Sequence, residues 1–267
     1  MKKHYKIVLA AVCLLLVLLV GWTIWGNCTV GLTTITVTEK NLPYAFDGFR
    51  IAQVSDLHNS DLWEKAIVQL NKADPDIIVI TGDIVDAKRT DIAQTMAFIA
   101  QAIQIADCFY VSGNHEMNIS SEEYAILTEG MKQMGVYVLE DTQVSVHRNG
   151  SYIALAGHGW GDTASVGDIT DFDGYRILLS HQPEGMEDYV KAGYDLVFSG
   201  HAHGGQIRIP FLGGIFAPGQ GLFPKYDSGH YTQGRTDLIV SRGIGNSSFP
   251  IRFNNRPEVV LVILENG

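Results

Sequence analysis

The chain has 267 residues, of which 46% are hydrophobic and 18% charged, enough for one sizeable core and too few charges for a largely disordered chain. A formal charge of −10 argues against a surface built for nonspecific binding to nucleic acid, and three cysteines exclude a disulfide scaffold.

The first segment stands apart. After the basic "MKKHYK", no charge occurs from Ile7 to Trp25, and the next one is Glu39. About 20 apolar residues span a bilayer as a helix. Trp22 and Trp25 stand where a cleaved signal would have small residues, and Trp suits the membrane interface. Trp25 and Asn27 also do not fit a lipidation site at Cys28. Residues 1–28 are therefore read as an uncleaved anchor in preference to a signal sequence, and residues 29–267 as one catalytic domain. Lys2, Lys3 and Lys6 precede the span, so the positive-inside bias leaves the N-terminus in the cytoplasm and the domain outside, in a cell membrane crossed once. That domain carries a formal charge of −13, because the anchor holds three of the 19 basic residues and none of the 29 acidic ones.

"LTTITVT" and "RIAQVSD" read as strands, "DLWEKAIVQLNKADPD" as a helix stopped by Pro75, and "IIVITGD" as a strand buried on both faces. "IAQTMAFIAQAIQIA" is a second helix, "CFYVSGNHE" a strand, and "SEEYAILTEGMKQMG" a third helix with Ser121 as its N-cap. This alternation predicts a parallel sheet with helices on both faces. From Val136 onward strands dominate, including "SYIALAG", "RILLSHQP", "DLVFSGHAH", "DLIVSRG" and "EVVLVIL", and they predict a second sheet packed on the first. One helix near Gly185–Ala192 interrupts them, and residues 213–235, rich in Gly, Pro and aromatics, are expected to be irregular.

Polar residues fall where strands end. Asp56, His58, Asp83, Asn114, His115, His181, His201 and His203 each lie just past a short apolar run. In open α/β sheets the ligand site lies at the carboxyl ends of the strands, so five strand ends are expected to converge. A single histidine is more often an ordinary core or surface residue, and Gly-Asp or Gly-Asn is usually a turn. Five of the nine histidines in this setting, with two Asp and one Asn, outweigh that reading. Imidazole and carboxylate suit Mn, Fe or Zn, and two such cations clamp the attacking and leaving oxygens of a displacement at phosphorus.

D-x-H at 56–58, G-D-x-x-D at 82–86, G-N-H-E at 113–116, His181 and G-H-x-H at 200–203 together resemble the calcineurin-like metallophosphoesterases. The later "GGQIRIP" and "SRGIGNSSFPIRFNNRPEVVLVIL" resemble a bacterial subgroup that includes the phosphodiesterases YaeI and YkuE, and also a hydrolase of UDP-2,3-diacylglucosamine. The resemblance implies an α/β fold of two packed mixed β-sheets flanked by helices, here with one N-terminal transmembrane helix. It implies two divalent metal ions, with Mn first and Zn, Fe or a mixed pair as alternatives. Asp56, His58 and His203 would hold the first, Asn114, His181 and His201 the second, and Asp83 would bridge. His115 would face the phosphate and protonate the leaving oxygen or stabilise the transition state, with Glu116 orienting it from behind; Asp86 is expected to support the ligands from behind or to be structural.

The activity so implied is a phosphodiesterase or pyrophosphatase acting on an envelope, lipid-linked or nucleotide-sugar phosphoester, with the membrane as partner and no nucleic acid; oligomeric state is left open. Alternatives are a nuclease or cyclic-nucleotide phosphodiesterase, against which the acidic surface and anchor count, and a noncatalytic membrane-tethered metal-binding protein, against which the complete donor set counts. Arg208 and Arg252 are candidate phosphate contacts, and Phe211, Phe216, Phe223, Tyr226 and Tyr231 either wall an apolar substrate or pack as an ordinary loop.

Overall fold

The computed structural model describes residues 2–168, 172, 174–246 and 250–267. Ser247, Ser248 and Phe249 of the late glycine-rich stretch lie outside the described residues.

Helix α1, Lys2–Asn27, leads the chain. Its 24-residue stretch His4–Asn27 is long and apolar enough to cross a membrane, and none of its most apolar stretch is buried against the rest of the protein. At 1.5 Å per residue it reaches about 36 Å, against roughly 30 Å of hydrocarbon.

Beyond it come β1 (Gly31–Glu39), β2 (Arg50–Val54), α2 (Trp63–Ala73), β3 (Ile77–Thr81), α3 (Ile92–Ala102), β4 (Asp107–Val111), α4 (Ser121–Gln133) and β5 (Tyr137–Val138). Next are β6 (Thr142–Arg148), β7 (Ser151–His158), β8 (Arg176–Ser180), α5 (Met186–Ala192) and β9 (Leu196–Ser199). Four two-residue strands follow, β10 (Arg208–Ile209), β11 (Gly213–Gly214), β12 (Phe216–Ala217) and β13 (Gly221–Leu222), before β14 (Gly229–Gln233), β15 (Thr236–Val240) and β16 (Glu258–Asn266).

Two six-stranded sheets result, ordered β1-β16-β2-β3-β4-β5 and β14-β15-β9-β8-β7-β6. Period-2 geometry explains why β3 is apolar from Ile77 to Ile80. Ile78 and Ile80 face the helices α2–α4, while Ile77 and Val79 face the layer between the sheets, where Ile177, Leu179 and Phe198 meet them.

Three expectations need correction. The helices α2, α3 and α4 share one face of the first sheet, because its other face is buried against the second sheet. The C-terminal "EVVLVIL" belongs to that first sheet: β16 lies parallel to β1 and antiparallel to β2, which makes the sheet mixed. Residues 229–233 form an edge strand, β14, antiparallel to β15. A local correction concerns α4. Its N-cap is Ser120, since a reciprocal capping box needs Glu123 three residues on; Ser121 is the first helical residue. Cys108 is buried and forms no disulfide.

Candidate metal centre

The ends of β2, β3, β4, β8 and β9 carry the eight predicted residues to one place. Asp56, His58 and His203 offer donor atoms that all lie within 4.8 Å of one another; Asp83, His181 and His201 do the same, and so do His58, Asp83 and His115. The last two groups share Asp83, and His58 links the first to the third. Asp83 Oδ2 lies 3.6 Å from His58 Nε2 and 3.3 Å from His181 Nε2. Nε2 of His58 and Nε2 of His203 point at each other across 3.2 Å, and Asp56 Oδ1 stands 3.4 Å from the latter.

The backbone is bent to allow this. Asp56, His58, Asp83, His201 and His203 all have φ between 48° and 64°. Left-handed backbone at a non-glycine residue costs on the order of 1–3 kcal/mol and persists where a site requires it. Close approach explains two glycines. A Cβ on Gly113 would lie 2.3 Å from Asp83 Oδ1, and one on Gly200 2.5 Å from Asp56 Oδ2. These two glycines thus make room for the two carboxylates.

The donor atoms suit cations. His181 Nδ1 contacts the Thr81 carbonyl at 2.6 Å, so the neutral ring that a cation requires carries its proton on Nδ1 and offers the Nε2 lone pair; that Nε2 is buried without a hydrogen-bond partner. Asn114 Oδ1 is likewise buried and unpartnered. Burial pushes His58 down to about 4 and His201 to about 3, and lowers His203 as well, with neighbouring imidazoles adding to it. These three rings are therefore neutral, as ligands must be. Burial and the nearby Asp83 raise Asp56 to about 6, although His181 opposes this. Burial alone would raise Asp83 too, but the charge and hydrogen bond of His181 hold it well below the carboxylate range. His181 in turn is raised to about 10: burial opposes its charge, and Asp83 and Asp56 overcome that. Without a cation, one histidinium supplies the positive charge between two buried carboxylates. The donor set fits divalent metal ions.

Glu116 is a correction. Its carboxylate accepts from the backbone N–H groups of Asp83, Ile84, Val85 and Gly113, so it clasps the loops after β3 and β4 and does not orient the His115 ring. Burial and Asp83 raise it to about 7 despite those donors. Against His115 stand Ala87 N–H, which donates to Nδ1 at 3.0 Å, and Asp86 Oδ1 at 3.9 Å. Glu116→Ala would strip an acceptor from four backbone donors, at a cost of about 4 kcal/mol. Urea unfolding of the metal-stripped protein checks this, and Glu116→Gln, which keeps one acceptor oxygen, should fall between. An unchanged midpoint in both variants would mean that water replaces the clasp.

Neither predicted arginine is free for phosphate. Arg208 pairs with Asp227 at 3.0 Å, and Arg252 is buried, its guanidinium bonded to Asn246 Oδ1 and to the carbonyls of Arg242 and Gly245. Arg89, unremarked in the sequence, pairs with Asp86 at 3.0 Å, and its side chain is 72% exposed at the rim of a cleft of about 230 Å³ that reaches His58. Trp160 was also missed. Its ring lies 5.0 Å from that of His201 and 5.8 Å from that of His181. The aromatic group divides: Phe211, Phe216 and Phe223 are exposed, whereas Tyr226 is buried and packs edge-on against Tyr231.

The calcineurin-like phosphoesterase model matches residues 49–205, which carry all eight converging residues. The chain is 30% identical over 259 residues to the uncharacterized metallophosphoesterase YkuE of Bacillus subtilis, covering 88% of this chain and 85% of that protein. It is 28% identical over 227 residues to the phosphodiesterase YaeI of Escherichia coli, covering 81% and 82%. A Danio rerio transmembrane protein with a metallophosphoesterase domain is 24% identical over 256 residues, covering 87% of this chain and 57% of its own length. The match over more than half the chain, on the segment that builds the donor cluster, makes this protein a member of the calcineurin-like phosphoesterase family and a metal-dependent phosphoester hydrolase.

Proposed function

We propose that the chain is a membrane-anchored phosphodiesterase with two divalent cations, Mn first among them, acting on a phosphoester carried by the membrane or envelope. Asp56, His58 and His203 hold one cation and Asn114, His181 and His201 the other. The observation that carries this is the single oxygen of Asp83 set between Nε2 of His58 and Nε2 of His181. When bound, such a pair supplies Lewis acidity at phosphorus and lowers the pKa of water.

The chain's own residues do the rest. Ala87 N–H occupies His115 Nδ1, which leaves the proton on Nε2 for donation to the departing oxygen. Arg89 is paired with Asp86 but exposed at the cleft rim, within reach of a phosphate entering there. Trp160 packs over the rings of His181 and His201 and shields them from water. Glu116 keeps the Asp83 and Gly113 loops in register.

Residues 1–28 form the anchor, N-terminus in the cytoplasm, and residues 29–267 the external catalytic domain. The apolar length of α1 supports this, as do relatives named as transmembrane proteins. The similarity to the phosphodiesterase YaeI supports a diester substrate. The anchor, with the exposed Phe211, Phe216 and Phe223, favours a lipid-linked one. The test is hydrolysis of bis-p-nitrophenyl phosphate against p-nitrophenyl phosphate by chelator-stripped protein, before and after adding Mn, Zn or Fe. Metal-restored turnover favouring the diester is expected. Turnover that survives stripping, or favours the monoester, contradicts the reading.

A further inference from the structure

Where α1 meets the catalytic domain, a second cavity of about 220 Å³ is walled by Trp22 and Trp25 on one side and by Arg242, Arg252, Arg256 and Asn254 on the other. Only Arg242 has a carboxylate partner among the described residues, Glu258. Arg252 is buried among neutral acceptors: Asn246 Oδ1 and the carbonyls of Arg242 and Gly245. Arg256 donates to Thr29 Oγ1 and the Val30 carbonyl, and its guanidinium lies over the Trp25 ring at 4.7 Å. Arg252 is fully engaged and feels the charges of Asp56 and Glu258, which leaves Arg256 as the guanidinium that meets this cavity with only neutral acceptors and a ring beside it. A guanidinium so placed gains a charge-assisted hydrogen bond when an anion joins it.

We infer that this cavity binds the phosphate of an anionic glycerophospholipid headgroup. Guanidinium forks match phosphate oxygens. The depth is right as well. Trp22 and Trp25, 5.1 Å apart, close the apolar length of α1, and Trp marks the interfacial layer where headgroups lie. Basic pockets beside a membrane helix at that depth select anionic lipids. The inference rests on the anchor proposed above. It concerns a site separate from the substrate cleft, although Arg252 borders both: its Nη2 lies 3.3 Å from His203 Nδ1, and its backbone N–H donates to Asn27 Oδ1 at the end of α1.

The experiment reconstitutes the full chain in nanodiscs of phosphatidylcholine and phosphatidylglycerol in equal parts, then identifies retained lipid by native mass spectrometry. Wild type should keep phosphatidylglycerol in preference. Arg256→Gln should keep about fivefold less, since each basic side chain near an anionic surface adds roughly that factor, and Arg256→Lys should restore most of it. Unchanged hydrolysis of bis-p-nitrophenyl phosphate by both variants shows that they fold. Equal retention of the two lipids, retention indifferent to Arg256→Gln, or displacement by millimolar glycerol 3-phosphate overturns the headgroup site alone. A chain that never enters the nanodiscs overturns the anchor and the site with it.

Discussion

Asp83→Ala should lose both metal ions and about three orders of magnitude in turnover. Asp83 Oδ2 faces His58 Nε2 and His181 Nε2 together, so its removal takes away the donor proposed to join the two cations and leaves His181 without its principal counter-charge. Several kcal/mol of charge stabilisation at phosphorus go with the cations, and each 1.4 kcal/mol is tenfold in rate. Asp83 Oδ1 also accepts the His115 backbone N–H at 2.8 Å, so alanine disturbs that loop too. Asp83→Asn separates the two effects, because its amide oxygen can keep that hydrogen bond while the charge is gone. Metal analysis and diester hydrolysis should fall in both variants. Retained metal in either one refutes the bridging role.

His115→Ala should behave differently. Its Nδ1 is already occupied by Ala87 N–H, and the side chain is 14% exposed, at the edge of the buried cluster. Metal content should stay near wild type while kcat falls about 10²–10⁴-fold, the usual range for losing a general acid. A leaving group that needs no proton separates this role from mere packing: p-nitrophenolate should lose far less than an alkoxide. Equal losses with both leaving groups would make His115 a positioning residue only. Loss of one metal would move it into the ligand set, since it also lies within reach of His58 and Asp83.

The site was legible because its chemistry sits at strand ends. Short apolar runs followed directly by Asp, His or Asn marked the ends of β2, β3, β4, β8 and β9, and the sheets bring those ends together. The same rule was available for β7, whose "ALAGHGW" leads to Trp160. It would have misled at His158, whose Nδ1 contacts Asp141 at 2.7 Å outside the donor cluster. Glu116 was misread because sequence adjacency to His115 looked like contact. A residue and its neighbour on a short helical turn point apart, and the carboxylate is instead drawn inward by four backbone donors. The strand β16 was recognised as a strand but assigned to the wrong sheet. Apolar alternation gives no partner, and the last strand returns between the first two. Arg89 carried no sequence signal, since an exposed arginine after a turn is ordinary.

The central claim is that the strand-end donors hold two cations in one cluster. Its most direct measurement is the metal stoichiometry of the full-length protein in detergent, chelator-stripped and then titrated with Mn²⁺, read by calorimetry and elemental analysis. The account predicts two ions per chain. Saturation at one ion per chain, or none, in protein that remains folded would contradict it.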